Sequence, residues 1–378
     1  MSSEFVPQVG ARIRLSLREL RGQLRYRLGL VLERLIGRRA TATRLDPTQI
    51  RSVLIGRING RLGNTLFLTP MIERLHALLP EARIDLALSY PHAVTLLAGM
   101  PGVRQIIQFP HKGRAVIPQY LRALRQLRAT HYDLVIDPTP FSTSGRLILS
   151  LARARFRLGF ALPSQWAALT HSVPLPEQTL HQGQQPAYLV ATALGACWDP
   201  SAIRLWLPLQ PQEIAAARVA VDSAIARSRA VESAATPARD QPRVGYFAHA
   251  TGLKTLSPAW WTRFWAAMLD LHPELLPVEF LPTATAEPTV PGGVALHLAS
   301  QRQLTAAIAT LQMFVSADAG PMHLASSTDT PTMGLFQVTD PHLYGPLKAV
   351  DRSIAVAQRT PEAVATQVSA AWSGRSRA

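Results

Sequence analysis

Residues 314–346 read FVSADAGPMHLASSTDTPTMGLFQVTDPHLYGP, and this stretch decides the fold. The apolar run Met313-Phe314-Val315 predicts a buried strand of a parallel sheet. It gives way to the small-residue turn Ser316-Ala317-Asp318-Ala319-Gly320-Pro321, and Met322-His323-Leu324-Ala325 then opens a helix. Strand, turn and helix start with Pro in the first turn together make an anion site, because the first amides of a helix lack internal partners and its dipole favours negative charge. Pro331 to Phe336 reads as the next strand, and Thr339-Asp340-Pro341 as the turn that closes it. Ligands of open α/β sheets bind outside the carboxyl ends of the strands, where both turns fall.

Working outward, the same alternation runs through most of the chain. Strands are expected at 52–55, 83–88, 103–107, 133–137 and 156–160, with helices over 65–79, 117–127 and 144–153 between them. Residues 228–242 are rich in Ala, Ser, Pro and Arg without periodicity, and read as a linker. Arg243 to Ala248 restarts the pattern, followed by a helix over 260–271, a strand over 278–281 and a helix over 304–311. The expected organisation is therefore a helical extension (1–50), a Rossmann-like domain (51–227), the linker, and a second Rossmann-like domain (243–378). Two doubly wound α/β domains facing a cleft form the architecture called GT-B, which hosts many unrelated functions.

The string also resembles the signature of the heptosyltransferases, glycosyltransferase family 9. That signature is D-[TS]-G-P-x-H-L-A and then P-x-x-x-L-F-G-x-T-D-P. Here it stands as Asp318 to Ala325, then Pro331 through Leu335-Phe336-Gln337 to Thr339-Asp340-Pro341. Further landmarks fall in order: Arg57 to Asn64 with Thr69-Pro70, Pro80 to Asp85, Tyr132 to Asp137, Gly159-Phe160, and His249 to Lys254 before an aromatic-rich helix. The resemblance covers roughly residues 50–350.

It implies an inverting transfer of a sugar, heptose above all, from a nucleoside-diphosphate donor such as ADP-heptose to a hydroxyl of a lipopolysaccharide-core-like glycolipid. Protein groups replace a metal as the charge clamp, and the sequence has no Asp-x-Asp and no His/Cys cluster at ligand spacing, so neither cofactor nor metal is expected. Lys254 is the candidate clamp for the departing phosphate, with a hydroxyl from Thr251 beside it. The amides of Ala319 and Gly320 are assigned to the other phosphate, although the family has Thr or Ser at 319. Asp318 is a candidate acceptor for sugar hydroxyls, His323 an orienting group on the phosphate side or a packed histidine, and Glu287 a ribose partner whose surroundings lack the usual glycine.

Asn64 departs from the pattern. The family's L-G-D aspartate is the general base implied by the resemblance, and this chain reads L-G-N. A carboxamide has no usable basic lone pair at neutral pH. Three accounts stay open: another base such as Asp318 or His249, a barrier carried by donor departure with late loss of the proton, or a nucleotide-sugar binder with weak or no transfer.

Composition bounds the setting. The chain has 378 residues, 47% of them hydrophobic, enough for two cores. Cys197 stands alone, which excludes a disulfide framework and suits a reducing compartment. No apolar run reaches the roughly 18 residues of a membrane span, and the N-terminus lacks a signal-peptide pattern, so a cytoplasmic protein is expected. Net charge is +15, carried mostly by arginine. Within residues 11–36, Ile13, Leu17, Leu20, Leu24, Leu28, Val31 and Leu35 recur at helical spacing beside Arg14, Arg18, Arg21 and Arg25. Such a stripe fits a helix on the anionic inner membrane face, and equally one docked on protein. Nucleic acid is not an expected partner, because no helix-turn-helix, RNA-recognition or zinc signature accompanies the charge.

Overall fold

A computed structural model describes residues 31, 40, 42–110, 116–140, 143–162, 169–232, 241–290 and 293–373. The amphipathic stripe expected over 11–36 lies outside these residues save for Val31. The first domain holds β1 (Ser52–Arg57), α1 (Leu62–Leu66), α2 (Thr69–Leu78), β2 (Arg83–Leu88), α3 (Ala93–Leu96), β3 (Val103–Gln108), α4 (Val116–Ala129), β4 (His131–Asp137), α5 (Thr143–Ser150), β5 (Arg153–Ala161), β6 (His171–Pro174) and α6 (Gln184–Ala193). After α7 (Pro211–Glu232) come β7 (Arg243–Phe247), α8 (Pro258–Leu271), β8 (Leu276–Leu281), β9 (Val294–His297), α9 (Gln301–Ile308), β10 (Met313–Ala317), α10 (Gly320–Ser326), β11 (Thr332–Phe336), α11 (Pro341–Tyr344), β12 (Arg352–Ala355) and α12 (Pro361–Ser373).

Each sheet has six strands, all parallel, in the orders β3-β2-β1-β4-β5-β6 and β12-β11-β10-β7-β8-β9. Counted within its own domain, the second order repeats the first. This is the doubly wound arrangement, and its direction of winding reverses between β1 and β4 in one sheet and between β7 and β10 in the other. Chain loops diverge at such a reversal and leave a crevice at the carboxyl ends of the two central strands. The central strands are buried on both faces, as parallel strands covered by helices must be: Val53, Leu54 and Ile55 in β1, and Phe314 and Val315 in β10, are fully excluded from water.

Local chemistry sets the boundaries. The helix expected over 65–79 is two pieces, since Phe67 ends α1 and Pro70 sits in the first turn of α2, where a missing amide proton is tolerated. Ser257 caps α8 by accepting from the amide of Trp260, with Pro258 in the first turn. The landmark Asp85 is a structural acid: buried in β2, it accepts from Arg104 at 2.9 and 2.6 Å, from Gln105 at 2.7 Å and from the Tyr132 hydroxyl at 2.7 Å.

One boundary differs from expectation. α7 runs to Glu232, so residues 228–232 are helix, and residues 233–240 lie outside the described ones. α7 packs on α9 and β9, elements of the second sheet. The chain therefore crosses between domains before Pro211, and the junction expected after residue 227 falls inside a helix of the second domain. Composition misled here because an Ala- and Arg-rich run makes good helix as readily as linker. Arg302 of α9 holds the crossing: it binds Glu213 at 2.5 and 2.8 Å and donates to the carbonyls of Pro208, Leu96 and Ala98. Among the described residues no helix is long and apolar enough to cross a membrane.

Candidate active site

The reversal in the second sheet brings together the loops that follow β7 and β10. After β7, Gly252 takes φ +63°, a left-handed turn that a side chain would strain, and the tight turn Gly252–Lys254 follows. That turn delivers Lys254 to the end of β10, where its Nζ lies 2.8 Å from Oδ2 of Asp318. The Asp318 side chain is 5% exposed and that of Lys254 35%, so the pair sits at the rim of the crevice with the cation outermost. One Asp318 oxygen is thus engaged with Lys254.

α10 begins at Gly320 with Ala319 extended before it and Pro321 in its first turn. No side chain caps it, because alanine has no hydroxyl to offer. Instead Leu62 of the first domain lies over this start: a Cβ at Gly320 would stand 2.7 Å from Leu62 Cδ2. His323, one turn on, is buried against the same domain, its ring edge-on to Phe67 with centroids 4.9 Å apart. A Cβ at Gly63 would stand 2.8 Å from His323 Cδ2, so only glycine admits this approach. Burial pushes the His323 ring down to about 3, with repulsion from His181 adding to it, so the ring is neutral at physiological pH.

His181 completes the contact from the first domain. Its Nδ1 accepts from the Gly183 amide at 3.0 Å, so Nε2 carries the proton donated to the Gly345 carbonyl at 2.9 Å. Burial lowers its pKa to about 4. Phe67 stands edge-on to this ring as well, at 5.4 Å.

Facing these groups, Asn64 sits in α1, half-buried, and its Oδ1 accepts from Arg57 Nη2 at 3.3 Å. The structure thus joins Lys254 to Asp318, and Gly320 and His323 to the helix α1 that bears Asn64. Thr251 is exposed on the β7 loop, and Glu287 is exposed on the loop after β8. Sequence reading overlooked Glu279, the buried acid of β8. It accepts from the Tyr246 hydroxyl at 2.9 Å and the Thr289 amide at 2.8 Å, and it lies 3.4 Å from His249 Nε2. Its signal was a lone acid between Val278 and Phe280. His181 carried no pattern at all, because its partners are far away in sequence.

Residues 297–372, which hold Asp318, Gly320 and His323, match the model of glycosyltransferase family 9 (heptosyltransferase). This segment is similar to family 9 glycosyltransferases. No curated protein sequence matches the chain. Among solved structures, the family 9 fold is shared with E. coli heptosyltransferase WaaC with ADP, at 17% identity and TM-score 0.65 over 85% of this chain and 99% of that one. A glycosyltransferase family 9 protein from Veillonella parvula DSM 2008 matches at 17% identity and TM-score 0.69, over 86% and 96%. E. coli ADP-heptose LPS heptosyltransferase II matches at 18% identity and TM-score 0.64, over 86% and 100%. At these identities the likeness is one of fold, and it extends across both domains.

Proposed function

We propose that the protein is an inverting, metal-independent sugar transferase that takes a nucleoside-diphosphate sugar, ADP-heptose above all, as donor and an anionic glycolipid as acceptor. The observation that carries this reading is the Lys254–Asp318 pair at the reversal of the second sheet, 2.8 Å apart. Two fold relatives are heptosyltransferases, one described with ADP, and this supports the choice of donor.

In the proposed reaction an acceptor oxygen attacks the anomeric carbon from the face opposite the diphosphate. The bond from that carbon to the phosphate oxygen breaks, the nucleoside diphosphate leaves with the electron pair, and the acceptor hydroxyl's proton passes to water late in the step. Negative charge grows on the departing phosphate, where a fixed cation stabilises the transition state more than the ground state. Lys254 supplies that cation, and Asp318 holds it in place. The amides of Ala319 and Gly320 and the Thr251 hydroxyl take the remaining phosphate oxygens, and Glu287 takes the ribose. His323 is a packing and orienting group in this scheme, since a ring with a pKa of about 3 is a poor base at neutral pH. The cytoplasmic face of the inner membrane is the proposed setting, with residues 11–36 as the contact.

A second reading, a nucleotide-sugar binder with little transfer, is favoured by one observation. Asn64 stands in place of the family's aspartate, and its amide oxygen faces a guanidinium rather than an open acceptor site. Calorimetry decides between them: ADP, ADP-heptose, UDP-sugars and GDP-sugars are titrated without added metal, and core glycolipid is then supplied. Micromolar binding of one donor followed by transfer supports the enzyme. Binding without turnover supports the binder, and no binding to any donor removes both.

A further inference from the structure

The first sheet has its own reversal, and Asn64 aside, it takes no part in the donor chemistry above. Arg57 closes β1 and Asp137 closes β4 beside it, as Lys254 and Asp318 follow the two central strands of the second sheet. The balance of charge differs. Asp137 is committed elsewhere: its Oδ2 accepts from Arg146 Nε at 2.8 Å, with both side chains buried, and its Oδ1 accepts from the Thr139 amide at 3.1 Å. Two arginines thus share one carboxylate, and Arg57 is the one left over.

Arg57 is 6% exposed. Its side chain's single hydrogen bond among the described residues is the long one from Nη2 to Asn64, and neither Nε nor Nη1 has a partner. Burial brings its pKa down to about 10, so it remains a cation at neutral pH. Its partner Asn64 follows Leu62 and Gly63, which lie against Gly320 and His323 of the second domain, so the Asn64 contact is made beside the interdomain cleft. Buried donors left unmet are rare in folded proteins and costly, and a buried cation more so. Such a group is retained where a ligand completes it.

We propose that Arg57 and Asn64 form an oxyanion-binding subsite on the first-domain wall of the cleft, taking a carboxylate or phosphate group. Arg57 supplies the charge, and the Asn64 amide nitrogen adds a neutral donor. The subsite gives the L-G-N departure a physical reason. An aspartate at 64 would pair with Arg57, cancel its charge and repel an incoming anion, whereas an amide holds the guanidinium in place without neutralising it. The inference rests on the transferase reading only for the source of the oxyanion, which is either an acidic group of the acceptor or the diphosphate of the donor.

The test uses the full chain, as wild type and as Arg57→Met and Arg57→Lys, titrated with ADP, glucose 6-phosphate, glucuronate, sulfate and uncharged glucose. Arg57→Met is expected to weaken the anions by about tenfold or more, the worth of a charge-assisted hydrogen bond, and to leave glucose unaffected. Arg57→Lys should recover part of the loss. The thermal midpoint of Arg57→Met should stay level or rise, since the unmet buried charge is gone. Loss confined to glucose 6-phosphate and glucuronate assigns the oxyanion to the acceptor, and loss confined to ADP assigns it to the donor. Wild type and Arg57→Met alike toward every anion overturns the subsite, as does a lowered midpoint with anion binding unchanged, which marks a structural arginine. Wild-type binding of ADP is read separately, so a failed donor reading and a failed subsite give different results.

Discussion

Replacing Lys254 by alanine probes the proposed donor site most directly. The substitution removes the cation 2.8 Å from a carboxylate that is 5% exposed, and two effects follow. Breaking a buried ion pair costs about 3–5 kcal/mol when the partner charge is stranded. Lys254 is itself about one-third exposed, so water screens the pair and the stability loss is expected nearer about 1–2 kcal/mol. Donor binding loses a charge-assisted contact worth about 1.5–3 kcal/mol, or roughly ten- to a hundredfold in the dissociation constant of ADP. The assay is calorimetric titration of ADP into wild type, Lys254→Ala, Asp318→Asn and the double variant. If Asp318 acts by holding Lys254, the two losses are not additive, and Asp318→Asn has little further effect once the lysine is gone. Unchanged ADP affinity in Lys254→Ala removes it from the site. Fully additive losses refute the positioning role of Asp318.

Three further outcomes are expected. His323 and His181 have pKa values lowered to about 3 and about 4, so the unfolded chain binds protons that the folded one refuses below about pH 6.5. Stability contributed by the neutral rings should therefore fall as pH is lowered from about 6.5, by about 2 kcal/mol for each ring at pH 5, and urea midpoints of wild type and His323→Gln at pH 7 and pH 5 should converge on acidification. A constant gap between the two proteins would contradict this. Gly63→Ala should force a Cβ to within 2.8 Å of His323, holding the domains apart and lowering turnover more than ADP affinity, read from kcat and from titration. Asn64→Asp should give Arg57 a charged partner, raising the thermal midpoint by the equivalent of about 1–3 kcal/mol. It should also raise transfer if a missing base limits the rate, and a flat rate with a raised midpoint would show that the base is not limiting.

The fold was largely legible because parallel strands buried on both faces are continuous apolar runs, and 52–55, 133–137 and 313–315 announce themselves against Arg-rich helices. The short outer strands β6, β9 and β12 carry no such run and escaped notice, as did the helical character of 228–232. In the site, Lys254, Asp318, Gly320 and His323 stood out through motif order, which reflects chain-local geometry. Glu279, His181 and the significance of Arg57 did not, because each depends on partners brought in by the fold.

What the chain determined by itself is the alternation of elements and the position of each turn at a strand end, since periodicity, proline placement and turn chemistry act over a few residues. Only tertiary structure decided which turns meet. The winding of each sheet reverses between its two central strands, and this sets Lys254 against Asp318 in one domain and Arg57 beside Asp137 in the other. Burial then separated the two cations: Lys254 gained a carboxylate, while Arg57 kept an amide and two unmet donors. Charge balance of that kind is a property of packed neighbours, and no local run of residues encodes it.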